Sequence, residues 1–278
     1  MNNSGYYNLL NPFYLYRERE YLKRRLMYRL AVCGLPITSN DRKLLSLKDK
    51  HKGQRCFIIG NGPSLRISDL DLLKKEISFA SNKIYLAFDE TNWRPSYYTM
   101  VDVLVAKNNH KVIQQLNIPK FFNFGLKAYF PKSKDIVWLR EMLNPLKDGK
   151  IDCQFSTNAL EGVYGGYSVI YAQMQLAFYI GIREVYLIGV DHKFDIPKPT
   201  GEICADGNLI LDQPGGINHF HPEYRKPGEK WTTPQLESIT MAFKKAKQTF
   251  ELNGGFIYNA SRKTELDVFP IVDFDEVI

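Results

Sequence analysis

Short apolar runs alternate along this chain with segments in which apolar residues recur every three or four positions. Runs at 56–59, 77–80, 97–101, 121–124, 184–190 and 256–258 predict strands. Between them the spacing predicts helices. One covers 68–75 (SDLDLLKK), opened by the N-cap type residue Ser68. A second, apolar on all sides, covers 167–180 and stops at Gly181. The last long helix opens at Thr233-Pro234, with proline suited to a first turn. It places Leu236, Ile239, Phe243, Ala246 and Phe250 on one face and ends at Gly254-Gly255. Strands alternating with helices predict parallel βαβ units. The expected class is α/β: a Rossmann-like, doubly wound, mostly parallel sheet with helices on both faces.

Composition narrows the setting. At 278 residues, 44% hydrophobic and 24% charged, the chain is neither disordered nor collagen-like. No apolar run approaches the ~18 residues that span a bilayer. The first residues lack the uninterrupted apolar stretch of a secretory signal. Cys33, Cys56, Cys153 and Cys204 are scattered without a CxxC, and read as reduced thiols of a cytoplasmic protein.

The net charge of +7 is unevenly placed, because residues 1–50 hold ten Lys/Arg against four Asp/Glu. Together with the polar stretch 48–54, this predicts a basic N-terminal helical extension (1–50) before the Rossmann-like domain (51–278). The near-neutral body argues against a nucleic-acid partner. Segment 14–31 carries Arg17, Arg19, Lys23, Arg24, Arg25 and Arg29 among aromatic and aliphatic residues. It reads either as an amphipathic helix on an anionic membrane surface or as a helix packed on the body with a solvated basic face.

Open α/β sheets bind ligands beyond the carboxyl ends of their strands, near the point where strand order reverses. That rule selects the residues after Ile59, around Asn82, around Asp102 and after Val190. Gly60-Asn61-Gly62-Pro63-Ser64 joins a strand to a helix, so backbone amides could approach an anion there, with the Ser64 hydroxyl as a further donor. The loop is not GxGxxG, since position 65 is leucine, and no Walker motif is present. The acid that a dinucleotide fold places about 20 residues on is replaced by Ser81-Asn82. Asn82 can donate to and accept from a ribose or base, so a mononucleotide is preferred to NAD.

Gly165-Gly166, shortly before Ser168, offer either a second set of amides at a helix start or a hinge for close packing. Asp191-His192-Lys193 follow the strongest strand. A Gly- and Pro-rich loop at 193–230 then carries Asn218-His219-Phe220-His221-Pro222. A histidine titrating near ~6.5 suits deprotonation of a hydroxyl. His219 and His221 point the same way if the segment is extended. They could act as a base, or ligate a metal together with Asp191 or His192.

The runs CFIIGNGPSL (56–65), VYLIGVDH (185–192), NHFHP (218–222) and IYNA (257–260) together resemble the MptE-like family. That family is named for an archaeal 6-hydroxymethylpterin pyrophosphokinase. Its bacterial members are similar to flagellin-modifying motility accessory factors and to proteins encoded with surface-glycan genes. A more distant resemblance is to bacterial lipooligosaccharide sialyltransferases. They share the GNGPSL loop, an Asn after the next strand, a Gly-rich turn before a helix, a strand ending Gly-x-Asp and a later histidine. This second resemblance implies that the loop and Asn82 hold CMP and that a histidine deprotonates the acceptor hydroxyl. By position His221 is that base, with His219 second. Where those enzymes place tyrosines after the Gly-x-Asp strand, this chain has His192 and Lys193, either of which would assist the leaving phosphate as a cation.

The expectation is therefore a nucleotide-sugar-dependent glycosyltransferase, sialyltransferase-like, with a CMP-nonulosonate donor and no required cofactor or metal. Gly60, Asn61, Gly62, Pro63 and Ser64 would hold the phosphate, Asn82 the ribose or base. Asp102, Gly165, Gly166, Ser168 and Asp191 would complete the nucleotide site. The acceptor would be a glycan or a lipid-linked glycan in surface-glycan assembly. Segment 14–31 would keep the protein at the inner membrane face. The alternative is an ATP- and magnesium-dependent pyrophosphokinase acting on a hydroxymethylpterin-like group, with Asp102 and Asp191 on the cation. A nucleotide-binding accessory protein without turnover is a third expectation.

Overall fold

The computed structural model describes residues 38–278, save 132–134, 148–149, 196–201, 203–209, 212–217 and 227–228, together with scattered positions between 19 and 35. Cys204 and much of segment 14–31, Arg17 and Arg24 included, lie outside the described residues.

Seven strands build one parallel sheet. They are β1 (Arg55–Ile59), β2 (Ile77–Ser81), β3 (Tyr97–Met100), β4 (Lys120–Asn123), β5 (Ile136–Leu139), β6 (Glu184–Ile188) and β7 (Phe256–Asn259). Their spatial order is β7-β6-β1-β2-β3-β4-β5. β1 is the pivot. Cys56 pairs with Val185 on one side and Ile77 on the other. The chain winds outward from β1 to β5, then returns to place β6 and β7 on the opposite flank. This is the expected doubly wound α/β architecture.

The continuous apolar runs follow from burial on both faces, since successive strand side chains alternate sides. Cys56 and Ile58 face a core formed with the helices Val169–Tyr179 and Leu236–Leu252. Phe57 and Ile59 face a second core with the helices Ile67–Leu72 and Val103–Gln115. The helix Ser39–Leu47 opens with a capping box between Thr38 and Asp41 and buries Leu44 in the first core. Its Asn40 bonds both the N–H and the carbonyl of Trp138 on β5, so residues before position 50 pack with the sheet.

Several local expectations change. Ser68 lies inside its helix, whose N-cap is Arg66 without a side-chain cap. The last long helix starts at Leu236, so Pro234 precedes it. The strand expected to reach 190 stops at Ile188, because Gly189 turns the chain with φ +64°. β5 and the helix Val103–Gln115 were not anticipated. In the latter, the run Lys107-Asn108-Asn109-His110-Lys111 hides the buried Val105, Ala106 and Ile113.

Candidate active site

The chain leaves β1 and β6 in opposite directions, so the corners after these two strands part and open a crevice. This is the place where an α/β sheet receives a ligand. The cleft there is lined by Gly60, Asn61 and Gly62 from the first corner and by residues 189–194 from the second. Ser81 and Asn82 come from the end of β2, and Ser168 from the start of the buried helix Val169–Tyr179. Asn218, His219 and Tyr224 close it from above.

The two corners are clasped together. The N–H of Gly60 donates to Ile188 O (2.8 Å) and that of Gly62 to Gly189 O (2.9 Å). The N–H of Ser64 donates to Asp191 Oδ2 (2.8 Å), and its hydroxyl donates to Asp191 Oδ1. A Cβ at Gly60 would lie 2.2 Å from Gly189 O, and one at Gly62 would lie 2.8 Å from the Asp191 carboxylate. The glycines are thus demanded by the close approach of the β6 corner. The expected row of free amides is corrected accordingly: those of Gly60, Gly62 and Ser64 are bonded within the protein, and Pro63 has none. Asn61 is what the loop presents, with Oδ1 buried and without a partner. Burial raises the pKa of Asp191, and the two Ser64 bonds oppose the rise.

Asn82 sits at φ +52° with its Oδ1 also buried and unpartnered, beside the cleft. Both residues line the cleft, and a buried acceptor left without a partner is unusual in a folded interior. Asp102 does not line this cleft. Its Oδ1 caps the helix Val103–Gln115, accepting from Leu104 N (2.7 Å) and Val105 N (3.1 Å). Gly165 and Gly166 stand outside as well. A Cβ at Gly166 would lie 2.2 Å from the Tyr171 ring, so this corner serves close packing. Ser168, two residues on, both caps its helix and lines the cleft.

His192 lies in the left-handed region (φ +56°), with Nε2 3.0 Å from Thr240 Oγ1. The Thr240 hydroxyl donates to Leu236 O (2.9 Å), so it accepts from His192. That assigns the ring proton to Nε2 and leaves the lone pair on Nδ1. Burial lowers the His192 pKa, against Asp267 and Glu265. Lys193 is exposed and ion-paired with Glu265 (2.5 Å).

His219 stacks on Tyr224, with centroids 3.8 Å apart and planes within 7°. Burial, then the nearby cations Arg225 and Lys83, push its pKa down to about 3, so the ring is neutral. His221 behaves differently. Its Nδ1 accepts from Glu223 N (3.1 Å), capping the turn Pro222–Tyr224, and it is not among the cleft-lining residues. His219 thus stacks on Tyr224 and lines the cleft, while His221 caps the turn begun by Pro222. Among the described residues, no three His, Cys, Asp or Glu side chains are grouped to hold a metal ion.

Sequence reasoning missed the residues that hold this upper wall. Lys83 Nζ donates to Tyr224 O (2.7 Å) and to Glu229 Oε2 (2.6 Å), with side chains only 4% and 9% exposed. Phe220 N donates to Asn61 O (3.1 Å). The Asn218 amide bonds both the N–H and the carbonyl of Asp195, each at 2.7 Å. Lys83 directly follows Asn82, and that adjacency to a selected corner was the available signal.

A parallel sheet with its crevice at the strand-order reversal defines a Rossmann-like α/β protein. The chain matches the family described as 6-hydroxymethylpterin diphosphokinase MptE-like over residues 36–196, and it belongs to the MptE-like family. No curated protein matches it. Among solved structures it is similar to the MAf glycosyltransferase from Magnetospirillum magneticum AMB-1, with TM-score 0.48 and 13% identity. That alignment covers 84% of this chain and 38% of the other, so the chain spans well under half of that protein. It is also similar to the sialyltransferase CstII from Campylobacter jejuni, solved with cytidine-5'-monophosphate: TM-score 0.43, 11% identity, 80% of this chain and 86% of that one.

Proposed function

We propose that the protein is a transferase that takes a nucleotide-activated sugar, with CMP as the nucleotide, and passes the sugar to a hydroxyl of a glycan or lipid-linked acceptor. The observation that carries this reading is the neutral imidazole of His219, presented to a crevice at the strand-order reversal by a pinned segment. The unpaired oxygens of Asn61 and Asn82 suit the ribose or base. His219 then takes the acceptor proton as the acceptor oxygen bonds the anomeric carbon, and the nucleotide leaves with the electrons of the broken bond. The role of base moves from His221 to His219 because His219 lines the cleft. A pKa near 3 makes the resting ring a weak base. Burial is the larger cause of that depression, and an anionic donor in the cleft opposes the lesser share that comes from Arg225 and Lys83. Lys193, a lining residue, would exchange its exposed partner Glu265 for the charge on the departing nucleotide.

Among the described residues, no helix is long and apolar enough to cross a membrane. Leu22 and Leu26 are 62% and 60% exposed beside exposed Arg19, Arg25 and Arg29. That pairing supports a peripheral role for segment 14–31 at the inner membrane face.

The family's description favours a second reading, an ATP- and magnesium-dependent pyrophosphokinase. Asp191 and Asp102 would have to hold the cation, yet Asp191 is engaged by Ser64 and Asp102 caps a helix. Thermal shifts with CMP and with ATP, each with and without magnesium, separate the two. A CMP shift independent of magnesium, with transfer lost and CMP binding kept in His219→Gln, is expected. A magnesium-dependent ATP shift with no response to CMP replaces the first reading with the second.

A further inference from the structure

We propose that the corner beyond the carboxyl end of β5 is a membrane-docking surface, where the hairpin 146–151 sets its apolar face into an anionic bilayer. The inference builds on the peripheral reading of segment 14–31 and is tested apart from it.

Two short strands, Leu146–Lys147 and Lys150–Ile151, pair antiparallel soon after β5. Leu146 lies opposite Ile151 in register, so the two side chains share one face. They are 55% and 42% exposed, and Leu143 before them is 60% exposed. A two-stranded ribbon gains stability by laying its apolar face on something, and this one leaves that face in solvent. Its base is nevertheless tied to the fold. Asp152 N donates to Pro145 O (2.9 Å) and Gln154 N to Asn144 Oδ1 (2.9 Å). Asn144 Nδ2 in turn donates to Gly165 O (2.7 Å).

The same corner gathers further apolar and basic groups. Phe124, directly after β4, is 42% exposed, with its ring centroid 6.4 Å from that of Trp138 on β5. Lys127 Nζ stands 5.1 Å from the Phe124 centroid, and Lys147 is exposed on the ribbon. Asn123 Nδ2 donates to Glu141 Oε2 (2.6 Å), which ties the end of β4 to the chain leaving β5. The helix Ser39–Leu47 meets them there. Its Asn40 bonds Trp138, and its Lys43 Nζ donates to Ile136 O (3.4 Å). The helix therefore enters at the carboxyl end of β5 and runs towards the strand's start. Segment 14–31, with exposed Leu22, Leu26, Arg19, Arg25 and Arg29, thus joins the fold at this corner through Thr38.

Exposed aliphatic and aromatic side chains set among lysines and arginines complement an anionic lipid surface. The cations hold headgroup phosphates while the apolar groups enter the acyl boundary. The crevice opens at the same end of the sheet, four strand spacings or about 19 Å away. A bilayer at this corner would hold a lipid-linked acceptor alongside the crevice.

The test is co-sedimentation of the full chain with phosphatidylcholine vesicles, with and without phosphatidylglycerol. The wild type is expected to bind the anionic vesicles at least tenfold more tightly than the neutral ones. The double variant Leu146→Ser, Ile151→Ser is expected to lose at least tenfold on anionic vesicles while keeping its thermal unfolding midpoint. In Leu146→Trp the added emission should shift to the blue on anionic vesicles, and this decides the matter if the serine variant does not fold. Unchanged anionic binding in the serine variant overturns the inference, as does an unshifted emission from the added tryptophan. Binding that is then lost in the triple variant Arg19→Gln, Arg25→Gln, Arg29→Gln leaves the membrane contact with segment 14–31 alone. A wild type that binds neither kind of vesicle overturns both readings. Self-association in sedimentation velocity that the serine variant abolishes, without vesicle binding, also overturns the inference and assigns this face to a second copy of the chain.

Discussion

The imidazole of His219 lies flat on the ring of Tyr224, and the carbonyl of Tyr224 accepts from the buried ammonium of Lys83. That contact ties the backbone beneath the stacked pair to a cation at the end of β2, more than 130 residues earlier in the chain. The arrangement packs a neutral imidazole, itself a lining residue of the crevice, against a ring whose own backbone is tied to Lys83.

The first prediction concerns protonation. With a folded pKa near 3 and an unfolded value near ~6.5, His219 stays neutral through the physiological range. The sign follows from linkage: below about pH 6.5 the unfolded chain binds a proton that the folded chain refuses. Stability therefore falls as pH drops from about 6.5 towards 3. His219→Gln should flatten that limb in chemical denaturation series. NMR titration of the ring should show no protonation between pH 8 and 5. Tyr224→Leu should move the midpoint upwards by uncovering the ring.

The buried pair Lys83–Glu229 invites a double-mutant cycle. Removing either partner alone, in Lys83→Met or Glu229→Met, strands a charge and should cost about 3–5 kcal/mol. The double variant should cost much less than the sum, because no charge is left behind. Urea unfolding reads the energies. If the singles cost no more than the double, the pair is not the pin described above.

Gly60→Ala should be among the most damaging small changes in the chain. Its Cβ would meet a backbone oxygen at 2.2 Å, and a backbone cannot step aside as a side chain can. A loss of about 1–3 kcal/mol or more is expected. Gly62→Ala meets the Asp191 carboxylate at 2.8 Å and should chiefly loosen the clasp to Ser64.

His221→Ala removes one hydrogen bond at an exposed turn. It should cost about 0.5–1.5 kcal/mol and leave the CMP response in place. A loss of transfer in this variant with transfer kept in His219→Gln would return the base to His221.

Much of the sheet was legible because buried parallel strands write themselves as apolar runs, and β1 and β6 are such runs on both faces. The crevice was legible too, since a strand ending in glycine or Gly-x-Asp marks a corner. Two things were not. The helix after Asp102 has only three buried residues among polar ones, so its period is faint. The reason for Gly60 and Gly62 lies in the contact with Gly189 and Asp191, which are distant in sequence and leave no local pattern.

The Asp191–Ser64 clasp has one more consequence. Because both carboxylate oxygens accept bonds from Ser64, the floor of the crevice is held by the protein's own contacts and is expected to change little when a guest enters. Little freedom is then lost there on association, and the entropic burden of binding falls on the side chains of the roof. Changes in affinity between relatives of this protein should accordingly trace to the positions of Asn218, His219 and Tyr224 and not to the glycine corner, even though the corner is the part that reads most plainly as a motif.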